Sequence, residues 1–269
     1  MSDLIVTERP RPGVLLIRLN RADALNAMNV ELVEALHSVL ADVRHDSETR
    51  AIVLTGNGRA FCAGIDLRGY GTPPGAAEGE GRVQAGMRVQ QHIASLVEAF
   101  RGARPPVIAA INGAAAGGGM ALALMADVRI MADTAALHAS FINRGQSSCD
   151  IGVSWLLPRM IGFSRAAEIL LTGRPVDAAE CERVGIVSSV HPAERLLDAA
   201  LDTAENIARN SPFGVWMTKE VMWSNLEVPS LRAAIDLENR TQILAAMTKD
   251  HREAVHSFLE KRPPVYRNH

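Results

Sequence analysis

The segment from residue 105 to residue 126 contains no charged side chain, although it is long enough to span a bilayer. Two prolines open the segment, and Asn112 and four glycines interrupt it, which disfavours a single membrane helix. We therefore expect a buried strand over residues 107–111, a tight turn at Asn112 and Gly113, and a buried helix after the glycines. An uncharged strand followed by an uncharged helix must be covered on both faces. This segment predicts the interior of an α/β domain.

The flanking segments alternate between strand and helix patterns. Residues 4–7 and 14–19 read as a hairpin, residues 51–55 and 128–131 as further strands, and the apolar spacing after Asn29 as a helix. From about residue 155 onward the pattern is largely helical. We predict an α/β core over residues 1–195, followed by an α-helical region over residues 196–269.

Composition excludes several classes of protein. The 269 residues are 48% hydrophobic and carry a net charge of −2, which is typical of a globular chain and disfavours both disorder and non-specific nucleic-acid binding. The three cysteines have no C-x-x-C spacing, so neither a disulfide framework nor a zinc site is indicated. The start of the chain lacks a basic segment followed by an apolar one. We expect a cytoplasmic protein with no membrane or nucleic-acid partner and no metal.

The strand, glycine-rich turn and helix around Gly117 to Gly119 are typical of an anion site. The spacing fits neither a Walker A motif nor a dinucleotide-binding motif, and no G-x-S-x-G nucleophile motif occurs in the chain. Two interpretations stay open. The free backbone N–H groups at the helix start could face a developing oxyanion, or the glycines could only permit close packing of helix on sheet.

Five sequence segments together resemble the crotonase (enoyl-CoA hydratase/isomerase) superfamily, and the resemblance covers nearly the whole chain. They are Ala24-Leu25-Asn26-Ala27-Met28, Phe61-Cys62-Ala63-Gly64-Ile65-Asp66-Leu67, Pro106-Val107-Ile108-Ala109-Ala110, Asn112-Gly113-Ala114-Ala115-Ala116-Gly117-Gly118-Gly119, and Leu171-Thr172-Gly173-Arg174 with Gly185-Ile186-Val187. One such segment would be weak evidence, whereas five in this order are specific. The resemblance implies a crotonase-like α/β fold, in which ββα turns form a spiral core and C-terminal helices form a trimerisation or lid region.

The resemblance also implies a site and a substrate class. Members bind acyl-CoA thioesters, and two backbone N–H groups stabilise the thioester enolate; by motif position these look like the N–H groups of Ala63 and Gly118. The residues expected to contact CoA are Ala24, Leu25, Ala63, Gly64, Ile65, Asp66 and Gly118, with Asp66 either a ligand contact or a structural group. No cofactor is implied beyond coenzyme A as part of the substrate. The expected assembly is a homotrimer or homohexamer.

The chain departs from the hydratase pattern at both acid/base positions. Typical hydratases have glutamates where this chain has Ala121 and the segment from Phe141 to Asn143. A different carboxylate, Asp150, lies where other branches of the superfamily, such as aryl-CoA dehalogenases and dihydroxynaphthoyl-CoA synthases, have an active-site aspartate. Asp150 could also simply cap the helix that follows it. His92 and His138 are weaker candidates for proton transfer.

The sequence therefore predicts an acyl-CoA enzyme of the enoyl-CoA hydratase/isomerase type, acting in fatty-acid or related acyl-CoA metabolism. Two alternatives stay open. The same scaffold could carry out isomerisation, thioester hydrolysis or dehalogenation centred on Asp150, or the chain could bind CoA with little catalysis. The Gly- and Pro-rich residues 68–86 are expected to form a long loop, which is either a lid over the site or a tolerated insertion.

Overall fold

A computed structural model describes residues 4–269. The main sheet has six strands in the order β1-β2-β3-β5-β7-β10. Its first two strands form an antiparallel hairpin, and the other pairs are parallel. These strands are β1 (Ile5–Arg11), β2 (Val14–Leu19), β3 (Ala51–Gly56), β5 (Val107–Ile111), β7 (Val128–Ala132) and β10 (Ser189–His191). The strand β1 continues past the predicted end and through Pro10, because an edge strand can leave one side without ladder hydrogen bonds.

A second, smaller sheet has four strands in the order β4-β6-β8-β9. The strands β4, β6 and β8 are parallel, and β9 is antiparallel to β8. Each strand has three residues: β4 (Ala60–Cys62), β6 (Ala114–Ala116), β8 (Ala136–His138) and β9 (Pro175–Asp177). Runs this short lack a recognisable alternation, so the sequence pattern did not predict them.

Ten α-helices lie within residues 4–269. They are α1 (Val30–His45), α2 (Arg82–Arg101), α3 (Gly118–Leu124), α4 (Val153–Ile161), α5 (Phe163–Thr172), α6 (Ala178–Val184), α7 (Leu196–Ala208), α8 (Pro212–Asn225), α9 (Leu231–Ala246) and α10 (Lys249–Leu259). The strand pairs β3-β4, β5-β6 and β7-β8 are followed in turn by α2, α3 and α4. This repetition of ββα turns is the predicted spiral core, and the α/β fold class is confirmed.

The uncharged segment from residue 105 to residue 126 forms β5, β6 and α3. All residues of β5 and α3 are buried. The predicted strand, turn and helix are therefore confirmed. Within residues 4–269, no helix combines the length and the apolar character that crossing a membrane requires.

The C-terminal helices attach to the core to different degrees. Helix α7 packs on β3, β5 and β7, so it belongs to the core layer. Helix α8 is anchored by Lys219, whose buried ammonium group lies 3.0 Å from the Asp127 carboxylate and donates to the Phe100 carbonyl. Helix α9 has no buried residue. The loop after Arg68 ends when α2 begins at Arg82, one turn before the predicted end at Gly86.

Candidate active site

Two glycine turns meet where the parallel strands β4 and β6 end. The conformation of Gly64 has a φ of +96°, and a side chain there would lie 2.6 Å from the carbonyl oxygen of Ala116. The same added atom would lie 3.3 Å from the backbone nitrogen of Gly118. Only glycine permits both this φ and this approach. The turn after β4 is thereby pressed against the start of α3.

Some backbone N–H groups of these turns are hydrogen-bonded within the chain, and others are not. The N–H of Ala63 donates to the carbonyl of Leu25 at 2.9 Å. The N–H of Ile65, two residues on, meets no acceptor within residues 4–269. Its two neighbours in the chain are both bonded to Met28: the Gly64 carbonyl accepts from the Met28 N–H, and the Asp66 N–H donates to the Met28 carbonyl. The N–H of Gly118 is likewise without an acceptor in this part of the chain, as expected in the first turn of a helix.

The sequence-based choice of Ala63 as an oxyanion donor therefore needs a correction. Its N–H is already bonded within the chain, because a parallel bridge joins Met28 to Ile65 and aligns Leu25 with Ala63. Ile65, next to Gly64, carries an N–H group that meets no acceptor within residues 4–269. The N–H of Gly118 has no acceptor within residues 4–269, and its role as the other donor stays a prediction.

Apolar side chains surround these donors. A side chain on Gly118 would lie 2.5 Å from the terminal methyl group of Met28 and 3.5 Å from the Ile151 side chain. A side chain on Gly117 would lie 3.1 Å from the Phe141 ring. Apolar walls lower the local dielectric, which strengthens hydrogen bonds from the free N–H groups to a developing oxyanion.

Neither position of the missing glutamates holds a proton-transfer group. Ala121 is fully buried in α3, and Phe141 packs its ring against Gly117. Asp150 directly precedes Ile151, whose side chain lies near Gly118. Asp150 is thus joined to the Gly118 region through its neighbour in the chain.

Asp150 is half-buried and is held by the opposite helix. The Gln90 side chain on α2 donates to one of its carboxylate oxygens. Burial raises the pKa of Asp150 above the usual aspartate range, and the hydrogen bonds from Gln90 and from the Ile151 backbone oppose this only in part. A carboxyl group with a raised pKa is suited to taking up and returning a proton.

The alternative role of Asp150 as a helix cap is wrong. Helix α4 is preceded by Gly152, and no side chain caps it. Ile151 has a φ of +45°, which is strained for a β-branched residue. Strain of this kind concentrates at functional sites, and here it turns the Ile151 side chain towards Gly118. Sequence analysis missed Gln90, since a polar residue on a helix is not by itself a signal.

The predicted CoA-contacting residues come together along one edge of the site. Ala24 and Leu25 form a short turn, which is joined to the strip from Ala63 to Asp66 by the Leu25 carbonyl and the bridge of Met28. The Asp66 carboxylate is buried and accepts hydrogen bonds from the Arg68 and Arg21 guanidinium groups, which hold its pKa well below the usual range. These contacts favour the structural role for Asp66.

The guanidinium group that faces solvent beside this strip belongs to Arg68. Its side chain is 73% exposed, whereas that of Arg21 is 16% exposed and also donates to the Ala27 carbonyl. Arg68 is therefore better placed than Arg21 to meet an anionic group arriving from solvent.

The ring of His92 is bonded to other residues, whereas His138 contacts a glycine turn through its backbone. His92 accepts or donates at both ring nitrogens, to the Tyr70 hydroxyl at 2.6 Å and to the Glu34 carboxylate. It is two residues from Gln90 on α2, and residues at that spacing point to nearly opposite sides of a helix. His138 is partly buried, which lowers its pKa, and its backbone carbonyl accepts from the Gly117 N–H.

Comparison with known proteins finds relatives over nearly the whole chain. The sequence model of the enoyl-CoA hydratase/isomerase family matches residues 9–269. A probable enoyl-CoA hydratase of Mycobacterium leprae is 41% identical over 98% of this chain and 90% of its own length. The 1,2-epoxyphenylacetyl-CoA isomerase of Escherichia coli is 36% identical over 94% of this chain and 95% of its own. The crystal structure of a probable enoyl-CoA hydratase/isomerase from Mycobacterium abscessus is 39% identical and superposes with a TM-score of 0.92, covering 98% of this chain and 99% of the other.

The fold, the paired glycine turns and these matches define the class. The chain belongs to the enoyl-CoA hydratase/isomerase family. It is an acyl-CoA enzyme of that type, as the sequence segments predicted.

Proposed function

We propose that the enzyme moves a carbon–carbon double bond within an acyl-CoA thioester, with Asp150 as the one group that carries the proton. The observation that supports this most is the absence of both usual glutamates, at Ala121 and in the segment from Phe141 to Asn143, together with a half-buried Asp150 of raised pKa. A double-bond shift can use one carboxyl group twice, first to take a proton from carbon 2 and then to return it to carbon 4. A relative named as an isomerase is 36% identical to this chain.

In the proposed reaction the thioester oxygen accepts hydrogen bonds from the N–H groups of Ile65 and Gly118. The Asp150 carboxylate removes a proton from carbon 2 of a 3-enoyl thioester, and the electron pair of that C–H bond moves onto the thioester oxygen. The same carboxylic acid then returns the proton to carbon 4, and the double bond comes to lie between carbons 2 and 3. Two preorganised donors stabilise the dienolate by about 3–4 kcal/mol each.

Hydration on the same scaffold is the second candidate. The 41% identical relative from Mycobacterium leprae is named a probable enoyl-CoA hydratase. In that reaction Asp150 would deprotonate a water molecule that adds to carbon 3, and it would then return the proton to carbon 2. The same residue would serve, but the product would gain the mass of water.

The product and the Asp150→Asn variant test the proposal together. Incubated with a 3-enoyl-CoA, the enzyme is expected to form the conjugated 2-enoyl-CoA, which absorbs in the ultraviolet and has unchanged mass. The variant is expected to lose about 10²–10⁴-fold in kcat. The exposed Asp133→Asn is the matched control and should retain full activity.

Two results would overturn the proposal. A product that has gained water would favour the hydratase instead. An Asp150→Asn variant with undiminished turnover would remove Asp150 from the mechanism, whatever the product.

We also infer that the enzyme works in the cytoplasm as a homotrimer or homohexamer. Helices α9 and α10 and the turn between them leave large apolar side chains uncovered, among them Leu231, Met247 and Phe258, the last of them 82% exposed. An apolar surface of this kind is typical of a subunit interface. Light scattering of the purified protein is expected to give three or six times the mass of the chain, and a monomer would contradict the inference.

A further inference from the structure

A polar cavity of about 320 Å³ lies beside the segments that lead into β3 and β5. Its lining comes from the end of α1, from residues 49–50 before β3, from residues 105–106 before β5, and from the first turns of α8. At their other ends, β3 and β5 lead into β4 and β6, whose turns carry Gly64 and Gly118. Strands of five and six residues are about 17–20 Å long, so this cavity and the candidate active site lie at opposite ends of these strands.

Three guanidinium groups line this cavity, those of Arg44, Arg50 and Arg104. None of the three forms an ion pair with a carboxylate within residues 4–269. Arg50 donates to the carbonyls of Ala208 and Tyr266, at 3.2 and 3.0 Å. These bonds fix the side chain of Arg50, but they do not neutralise its charge, and they leave three of its five N–H groups for another acceptor.

Among the described residues, the one carboxylate in the lining is that of Asp46. It accepts hydrogen bonds from the Thr49 hydroxyl and from the guanidinium of Arg9, a cation outside the lining. Burial favours the neutral form of Asp46, but these hydrogen bonds outweigh it and lower the pKa of the carboxyl to about 2. Asp46 therefore stays charged and is paired with Arg9. The three arginines of the lining remain as an excess of positive charge, which favours an anionic ligand.

Aromatic rings form another part of the cavity wall. The rings of Phe213 and Trp216, both near the start of α8, lie 5.8 Å apart in an edge-to-face arrangement. The Arg104 guanidinium lies 4.7 Å from the centre of the Trp216 ring. Aromatic rings and guanidinium planes are the surfaces on which nucleobases stack in proteins. The cavity thus combines groups that bind phosphate with groups that bind a base.

The volume fits a phosphorylated metabolite better than a single inorganic ion, because the cavity has the room of about ten water molecules. We propose that it binds a nucleoside phosphate. The phosphate groups meet the guanidinium groups of Arg44 and Arg50, which suit phosphate oxygens in charge and in geometry. The base packs on the wall formed by Arg104, Phe213 and Trp216. This site is separate from the glycine turns of the candidate active site.

Calorimetry with pyrophosphate and with ADP tests the two parts of the cavity separately. Both are expected to bind the wild-type enzyme. Arg44→Gln changes an exposed side chain and should weaken the binding of both by about tenfold, since a charge-assisted hydrogen bond is lost. Phe213→Leu should weaken ADP by about fivefold or more and leave the Kd of pyrophosphate within about twofold. The matched control is Arg195→Gln, an exposed arginine outside the lining, which should leave both Kd values within about twofold.

Three results would overturn the proposal. The first is a wild-type enzyme that binds neither ligand at millimolar concentration. The second is binding that is weakened by Arg68→Gln and not by Arg44→Gln, because the phosphate would then lie beside the candidate active site. The third is an equal loss for both ligands in Phe213→Leu, which would remove the base from the aromatic wall. None of these readouts involves turnover, so they do not depend on the proposed isomerase reaction.

Discussion

The turns that carry Gly64 and Gly118 differ from the segment that carries Asp150 in what fixes their geometry. The glycine turns are held by backbone contacts, namely the packing of Gly64 against Ala116 and the hydrogen bonds on either side of Ile65. The Asp150 carboxylate is held by a side chain on another helix, Gln90, sixty positions away in the sequence. One half of the site is built from main chain, and the other half depends on a single side-chain contact.

This difference predicts unequal tolerance to substitution. The positions of backbone N–H donors change only when a substitution alters the backbone conformation. In these turns the residues that fix the backbone conformation are the glycines. A carboxylate responds to any change in its hydrogen bonds or burial, because these set its protonation. A substitution in the glycine turns should therefore either abolish most of the activity or leave it unchanged. Substitutions around Asp150 should change the activity by graded amounts.

The largest effect in this comparison is expected from Gly64→Ala. The added methyl group would lie 2.6 Å from the Ala116 carbonyl in a backbone conformation unfavourable for alanine, so both free N–H groups should shift. We expect kcat to fall by about 10²–10³-fold. The control is Gly86→Ala in α2, where no atom lies within 4 Å of the added carbon. The control should keep its kcat and gain up to about 1 kcal/mol in stability. A Gly64→Ala enzyme with normal kcat would contradict the main-chain interpretation.

A smaller effect is expected from Gln90→Leu. The amide stabilises the charged form of Asp150, so its loss should raise the pKa of that carboxyl further. The rising limb of the pH–rate profile should move to higher pH, with a loss of about 3–10-fold below the midpoint and recovery above it. Gln91→Leu, which changes the exposed neighbour, is the control. An equal loss at every pH would show that Gln90 only supports the fold.

The smallest effect concerns the stability of Asp150→Asn. Folding raises the pKa of the Asp150 carboxyl group, so this group binds a proton more readily in the folded than in the unfolded state. The free energy of unfolding therefore falls as the pH rises from the ordinary aspartate range through the raised pKa. The asparagine variant does not titrate at this position, so it does not lose stability in this way as the pH rises. Its Tm should match that of the wild type at low pH and exceed it by about 1–4 °C at neutral pH. Thermal melts across pH measure this, and a variant less stable at neutral pH would show that the charged form is favoured in the fold.

Several elements could be predicted because their residues carry a local signal. The boundaries of β5 match the prediction, since an uncharged run between prolines and Asn112 has no other stable arrangement in a globular chain. The three-residue strands of the smaller sheet could not be predicted, because their alternation is too short. The first turn of α2 was also missed, since Ala85 and Gly86 resemble the loop composition before them.

The sequence by itself determined the family, the α/β spiral and the two glycine turns, because glycines at fixed spacing impose a backbone course that few folds use. Only the tertiary structure decided which N–H group is free. The Ala63 N–H bonds to the carbonyl of Leu25, a residue 38 positions earlier, whereas the Ile65 N–H meets no acceptor within residues 4–269. The same holds for Asp150, whose pKa and orientation come from burial and from Gln90 on a different helix. A hydrogen bond between distant segments depends on how the chain packs, and no local pattern records it.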